Sequence, residues 1–185
     1  MKSVYQARNL ELRWKHVHVR RKDYTLPFDR YELDSGGELF ASMYEKASTQ
    51  GLFANIQKPA TVGETTDGVW TIKQYQRRIV ATEIVSHREV AILERVPQVQ
   101  VTFSTGRVMT RKLWRVFGKV WRNEGGILIL RRGSIFRRDP ITIETAGFSL
   151  EELSLLILLD RYLSETERVE FSQDVARSGG VAILS

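Results

Sequence analysis

The chain has 185 residues, with 42% hydrophobic and 27% charged side chains, a net charge of +6 and no cysteine. That length suits one domain able to bury roughly two-thirds of the surface its unfolded chain would expose. The missing cysteine excludes disulfides, thiolate metal sites, thiol catalysis and S-acylation, and fits a reducing cytoplasm.

The N-terminal stretch "MKSVYQARNLELRWKH" has no apolar core of the kind a signal peptide carries. His16 and His18 fall on one face of a short strand pattern. With His87 they exhaust the histidines, and no carboxylate cluster accompanies them, so a metal site is not expected. "YELDSGGELFASMY", Tyr31 to Tyr44, reads as two strands around Asp-Ser-Gly-Gly, whose glycines supply the positive φ of a tight hairpin turn. "GVWTIKQY", "RRIVATEIV", "EVAILERV" and "QVQVTF" follow, all alternating at period two. In "QVQVTF" the residues Val99, Val101 and Phe103 share one face.

Leu113–Arg122 has two readings. As a helix, it lines Arg111, Arg115, Lys119 and Arg122 on one side and Leu113, Phe117, Val120 and Trp121 on another, a basic amphipathic face. As a strand, it turns Trp114, Val116, Gly118 and Val120 one way and Leu113, Arg115, Phe117, Lys119 and Trp121 the other. Gly118 costs a helix interior about 1 kcal/mol relative to alanine. Valine, phenylalanine and tryptophan favour strands, so the strand reading is preferred. A turn at Gly125-Gly126, then "GGILIL" and "SIFRRDPITIE", complete a series of strands at the spacing of an antiparallel barrel or sandwich. "DSGGEL" and "NEGGIL" share a Gly-Gly turn pattern, for which chance similarity is the simpler account.

The last element is a helix. Ser149 and Glu152 form a capping box ahead of "LEELSLLILLDRYL", placing the helix at about 150–164. Leu153, Leu156, Ile157 and Leu163 mark one side, while Leu155, Leu158, Leu159 and Tyr162 mark the other. A helix apolar nearly all round must be buried nearly all round. One flat sheet covers one side only, so the expected fold is mainly β (α+β): an antiparallel closed or nearly closed β-barrel around a buried C-terminal hydrophobic helix. The expected domain is 1–170, with a tail at 171–185. The longest apolar run, "LLILL", is far short of the roughly 20 residues that span a bilayer, so no transmembrane segment is expected.

Charge is unevenly placed. Residues 101–140 carry 10 basic and 2 acidic groups, whereas 141–185 carry 3 and 8. The candidate anion- or phosphate-binding set is Arg111, Lys112, Arg115, Lys119, Arg122, Arg131, Arg132, Arg137 and Arg138. Arginine suits phosphate because its planar fork donates two parallel hydrogen bonds. The bland alternative is a solvated sheet face, with Trp114 in the core. No P-loop, dinucleotide fingerprint or nucleophile elbow occurs, and Glu165, Glu167 and Glu170 are expected to solvate the helix end. No catalytic residue, cofactor or metal ligand is expected.

The "YELDSGGELFASMY" hairpin, "VWTIKQY", the "VWRNEGGILILRRG" hairpin and the helix "SLEELSLLILLDRYL" give a pattern that resembles the tubby C-terminal-like superfamily, from about Val4 to Leu163. That group includes the LURP-one-related proteins and the phospholipid scramblases. The resemblance implies a closed barrel of about twelve strands around a central hydrophobic helix. It also implies a non-enzymatic domain that binds anionic phospholipid headgroups through basic surface side chains, without pointing to particular lysines or arginines here. The scramblase palmitoylation and calcium features are not carried over, because cysteine and an EF-hand-like acidic loop are both missing. Nucleic-acid binding through the same arginines and tryptophans, or an acidic protein partner, are the rival expectations.

Overall fold

The computed structural model describes residues 1–7, 10–19, 28–45, 60–95, 97–114, 118–132 and 141–177. It contains a 12-stranded antiparallel sheet whose spatial order is the sequence order. The strands are β1 (Arg13–Val19), β2 (Phe28–Ser35), β3 (Glu38–Glu45), β4 (Thr61–Thr65), β5 (Gly68–Tyr75) and β6 (Arg78–Glu83). They continue with β7 (Glu89–Glu94), β8 (Gln100–Phe103), β9 (Val108–Trp114), β10 (Gly118–Asn123), β11 (Gly126–Arg132) and β12 (Ile141–Ala146). One helix, α1 (Leu150–Arg177), ends the described chain.

Turn chemistry sets this meander. Gly36 and Gly37 join β2 to β3 with φ of 58° and 89°, which side-chain-bearing residues rarely adopt. The second Gly-Gly pair is not equivalent: Glu124-Gly125 forms the turn, and Gly126 already pairs with Asn123 in the ladder. The resemblance between the two motifs is therefore one of letters. Leu113–Arg122 is not a helix, since its described residues belong to β9 and β10, paired through Gly118 and Trp114.

Period-two patterning then sorts the faces. Val101, Phe103, Met109, Trp121, Leu128, Leu130 and Ile143 are buried, and Val99 packs against them. The helix sits in that core. Leu153, Leu155, Leu156, Ile157, Leu158, Leu159 and Leu163 are all essentially inaccessible. Each such side chain contributes about 1.5–3 kcal/mol on burial, so this one element supplies much of the apolar stabilisation. Its neighbours come from well-separated strands. Arg161 lies over the rings of Trp14 in β1 and Tyr31 in β2, Leu158 meets Gly63 in β4, and Asp160 meets Trp121 in β10. The sheet is therefore curved about the helix. Its hydrogen bonding does not close: among the described residues β1 and β12 form no ladder, so the sheet remains open in that sense.

The capping box forms as the residue types dictate. Ser149 Oγ accepts from the Glu152 backbone N–H at 3.2 Å, and the Glu152 carboxylate accepts from the Ser149 N–H at 3.3 Å. The same carboxylate accepts from Thr105 and Arg107, each at 2.9 Å, which fastens the helix start to the β8–β9 turn. At the other end α1 runs to Arg177, well past the expected 164 and through the expected boundary at 170. No glycine or proline interrupts Ser164–Arg177. Instead Arg161–Glu165 and Glu165–Arg168 pair one turn apart, Glu167 binds Arg111 of β9, and Glu170 binds Arg95 just past β7. Residues 178–185 of the expected tail lie outside the described residues.

Candidate functional site: the basic strands β9 to β11

The nine candidate cations do not form one set. Directly opposed residues in an antiparallel ladder share a face. Arg111 opposes Trp121, and Lys119 opposes Leu130, so both lie on the core face. The Arg111 side chain is 10% exposed and the Lys119 side chain 18%. A buried charge needs a partner, and α1 provides it. Asp160, alone among the apolar residues of the helix centre, has its carboxylate 3.9 Å from Arg111 and 3.8 Å from Lys119. It also accepts the indole N–H of Trp121 at 3.0 Å. Arg111 reaches on to Glu167, Lys119 donates to Ser164, and the Arg111 guanidinium stands 6.0 Å from the Trp121 ring centroid. These two cations hold the helix to the sheet.

Lys112 and Arg122 behave differently. Both are exposed, and neither has an ion pair among the described residues. Lys112 opposes Val120, and Arg122 sits two residues beyond Val120 on β10, so the two cations are diagonal neighbours on the outer face. Such a diagonal spans about 7–8 Å. Arg122 also opposes Ile127 of β11, which is 40% exposed. Ile129 lies beside Val120 in the row of Lys112, and Glu144 of β12 ends that row. Arg131 and Arg132 belong to β11, where the backbone register pairs them with Thr142 and Ile141. Their side chains, those of Leu113 and Trp114, and all of Arg115, Arg137 and Arg138 lie outside the described residues.

Acidic residues of α1 take part as well. Glu165, Glu167 and Glu170 do not merely solvate the helix end. Glu170 receives two guanidinium N–H groups of Arg95 at 2.7 Å, and that hydrogen bond raises the Arg95 pKa above its ordinary value. Glu165 binds Arg161 at 2.5 Å and Arg168 at 3.0 Å, and its hydrogen bond raises the Arg168 pKa in the same way. The asymmetry of charge between residues 101–140 and 141–185 thus has a partly internal purpose: strand cations meet helix anions.

Among the described residues no group of three or more His, Asp or Glu converges to hold a metal ion. His16 instead stacks on Tyr31 with ring centroids 4.9 Å apart. Among the described residues no helix is long and apolar enough to cross a membrane. The roles of Arg107 and Asp160 are not among the sequence expectations. Asp160 is the more legible, because a single acid inside "LLILLDRYL" must find a cation if that run is buried. Comparison with known proteins returns no matching family model, no matching curated protein and no matching solved structure.

Proposed function

We propose that this protein is a non-catalytic binding domain of the cytoplasm that recognises an anionic phospholipid headgroup through the outer face of β9–β11. Lys112 and Arg122 are the described ligands; Arg131, Arg132, Arg137 and Arg138 are further candidates from the sequence alone. One observation carries the reading: two exposed cations without ion pairs stand beside an exposed isoleucine, Ile127, on neighbouring strands. Cations take phosphate, and the apolar neighbour suits the interfacial zone beneath a headgroup better than a nucleic-acid backbone. The cytoplasmic leaflet is the anionic one, which suits a basic face there. Twelve strands with a C-terminal helix enclosed by them support the tubby-like resemblance, and we take the sheet to complete a barrel around α1.

Co-sedimentation with phosphatidylcholine vesicles, with and without phosphoinositide, tests this reading. A mixed-sequence oligonucleotide serves as competitor at two salt concentrations. Each basic residue near an anionic surface contributes about 1 kcal/mol, so Lys112→Ala with Arg122→Ala weakens phosphoinositide-dependent binding by roughly thirtyfold. Replacing Arg131, Arg132, Arg137 and Arg138 by alanine weakens it further. Oligonucleotide binding with a steep salt slope would move the assignment to nucleic acid. Binding to neither ligand would leave an acidic protein partner as the reading.

A further inference from the structure

A cavity of about 400 Å³ opens beside the C-terminal half of α1, against β2 to β5. It lies apart from the basic face and has the opposite chemistry. Three tyrosines, Tyr31, Tyr44 and Tyr162, and three carboxylates, Glu45, Glu165 and Glu170, stand in its walls.

These groups are not equally committed. Glu165 is matched by Arg161 and Arg168, and Glu170 by Arg95. Among the described residues Arg168 is the only cation in the wall, and Glu165 holds it. Glu45, exposed at the end of β3, has no cation partner among the described residues. Tyr31 is sandwiched by the chain's own groups, with His16 stacked on it and the Arg161 guanidinium 4.4 Å from its ring centroid. Tyr44 donates its hydroxyl to Glu64 at 2.8 Å, which fixes its ring as a wall. Tyr162 is nine-tenths buried, yet its hydroxyl has no hydrogen-bond partner among the described residues although it lines the cavity.

We infer that this cavity binds a small organic cation, an alkylammonium, whose N–H groups donate to the Glu45 carboxylate and the Tyr162 hydroxyl oxygen while its chain lies against the tyrosine and methionine walls. The charge count selects that class. Among the described residues, an anion would face Glu45, Glu165 and Glu170 with only Arg168, already engaged, to receive it. A neutral ligand would leave Glu45 uncompensated. A metal ion would need several converging carboxylates or imidazoles, and among the described residues no such group exists. The volume is that of a small-molecule site, and aromatic walls beside a carboxylate are how proteins hold ammonium groups. Burial and the nearby Glu45 charge both keep the Tyr162 hydroxyl protonated, and so able to accept from an ammonium while donating to Glu45.

Calorimetric titration of the full chain with pentylamine, pentanol and valerate tests the inference, since the three differ chiefly in charge. Pentylamine, protonated at neutral pH, is expected to bind, and the alcohol and the carboxylate are not. Glu45→Gln removes the unmatched charge at an exposed position and should weaken pentylamine at least about tenfold, the usual scale for a charge-assisted hydrogen bond. Tyr162→Phe removes one hydroxyl and should weaken it several-fold. Lys112→Ala with Arg122→Ala should leave it unchanged, which separates this site from the basic face. Equal binding of pentanol, full affinity in Glu45→Gln, or a pentylamine dissociation constant weaker than about 10 mM would overturn the inference.

Discussion

The indole N–H of Trp121 donates to the Asp160 carboxylate at 3.0 Å, inside the core between β10 and α1. That bond is the centre of a buried polar cluster, because Arg111 and Lys119 approach the same carboxylate from the sheet. Removing Asp160 leaves Lys119 without its carboxylate and Arg111 with Glu167 alone, which costs about 2–4 kcal/mol. Asp160→Ala should therefore lower the unfolding free energy by that much, as read from urea denaturation. Asp160→Asn keeps an acceptor for Trp121 and should cost less. An Asp160→Ala protein within about 0.5 kcal/mol of wild type would mean that the cluster does not hold the helix.

Arg111 and Lys112 are adjacent in sequence and opposite in role. The first is enclosed against α1, and the second is exposed on the outer face. Arg111→Ala should destabilise the fold by about 2–4 kcal/mol, because Glu167 loses its cation and Asp160 one of its two. Lys112→Ala should change stability by less than about 0.5 kcal/mol. Denaturant unfolding of the two single variants, side by side, makes the comparison.

At Gly63 the sheet comes close to the helix. A Cβ at that position would lie 2.9 Å from Leu158 Cδ1 and 3.3 Å from Cδ2. Alanine in place of a strand glycine ordinarily helps, by limiting the unfolded chain. Here overpacking should reverse the sign and cost about 1–3 kcal/mol. In a Leu158→Ala background the clash disappears, and the same substitution should become neutral or favourable. The double-mutant coupling from thermal or urea unfolding is the readout, and coupling below about 0.5 kcal/mol would contradict the contact.

Burial, and secondarily the charge of Glu45, raise the Tyr162 pKa above its ordinary 10.0. The neutral phenol is thus favoured in the folded state. Its contribution to stability is complete below about pH 10, where the unfolded phenol is still protonated, and is lost as pH climbs through the folded-state value. Glu45→Gln should bring the ionisation of Tyr162 to lower pH, as followed by tyrosine absorbance. Tyr162→Phe should remove this part of the alkaline loss of stability. An unchanged titration in Glu45→Gln would show that the carboxylate and the phenol do not sense each other.

Much of the sheet is legible in the sequence because burial on one face imposes period two. "GVWTIKQY" corresponds residue for residue to β5, and Val101 and Phe103 enter the core together. The helix start is legible because Ser149 and Glu152 are the residue types that satisfy orphan backbone donors. The far half of α1 is not, because Ser164–Arg177 has no apolar stripe and is held by ion pairs to arginines distant in the chain, such as Arg95 with Glu170. The same physics hides the division of the basic residues. Arg111 and Lys119 look like any surface cations until Asp160 is placed opposite them. The tyrosine-lined cavity is equally invisible, since Tyr31, Tyr44 and Tyr162 come together only through the β2–β3 pairing and the approach of α1.

Enclosure of α1 by the curved sheet underlies all of these relationships, and Leu156, wholly inaccessible at the helix centre, is where it is tested most directly. The measurement is urea unfolding of Leu156→Asp, followed by circular dichroism. An unpaired carboxylate there should cost more than about 4 kcal/mol and abolish the cooperative transition under native conditions. A Leu156→Asp protein that unfolds cooperatively near the wild-type midpoint would contradict an enclosed helix.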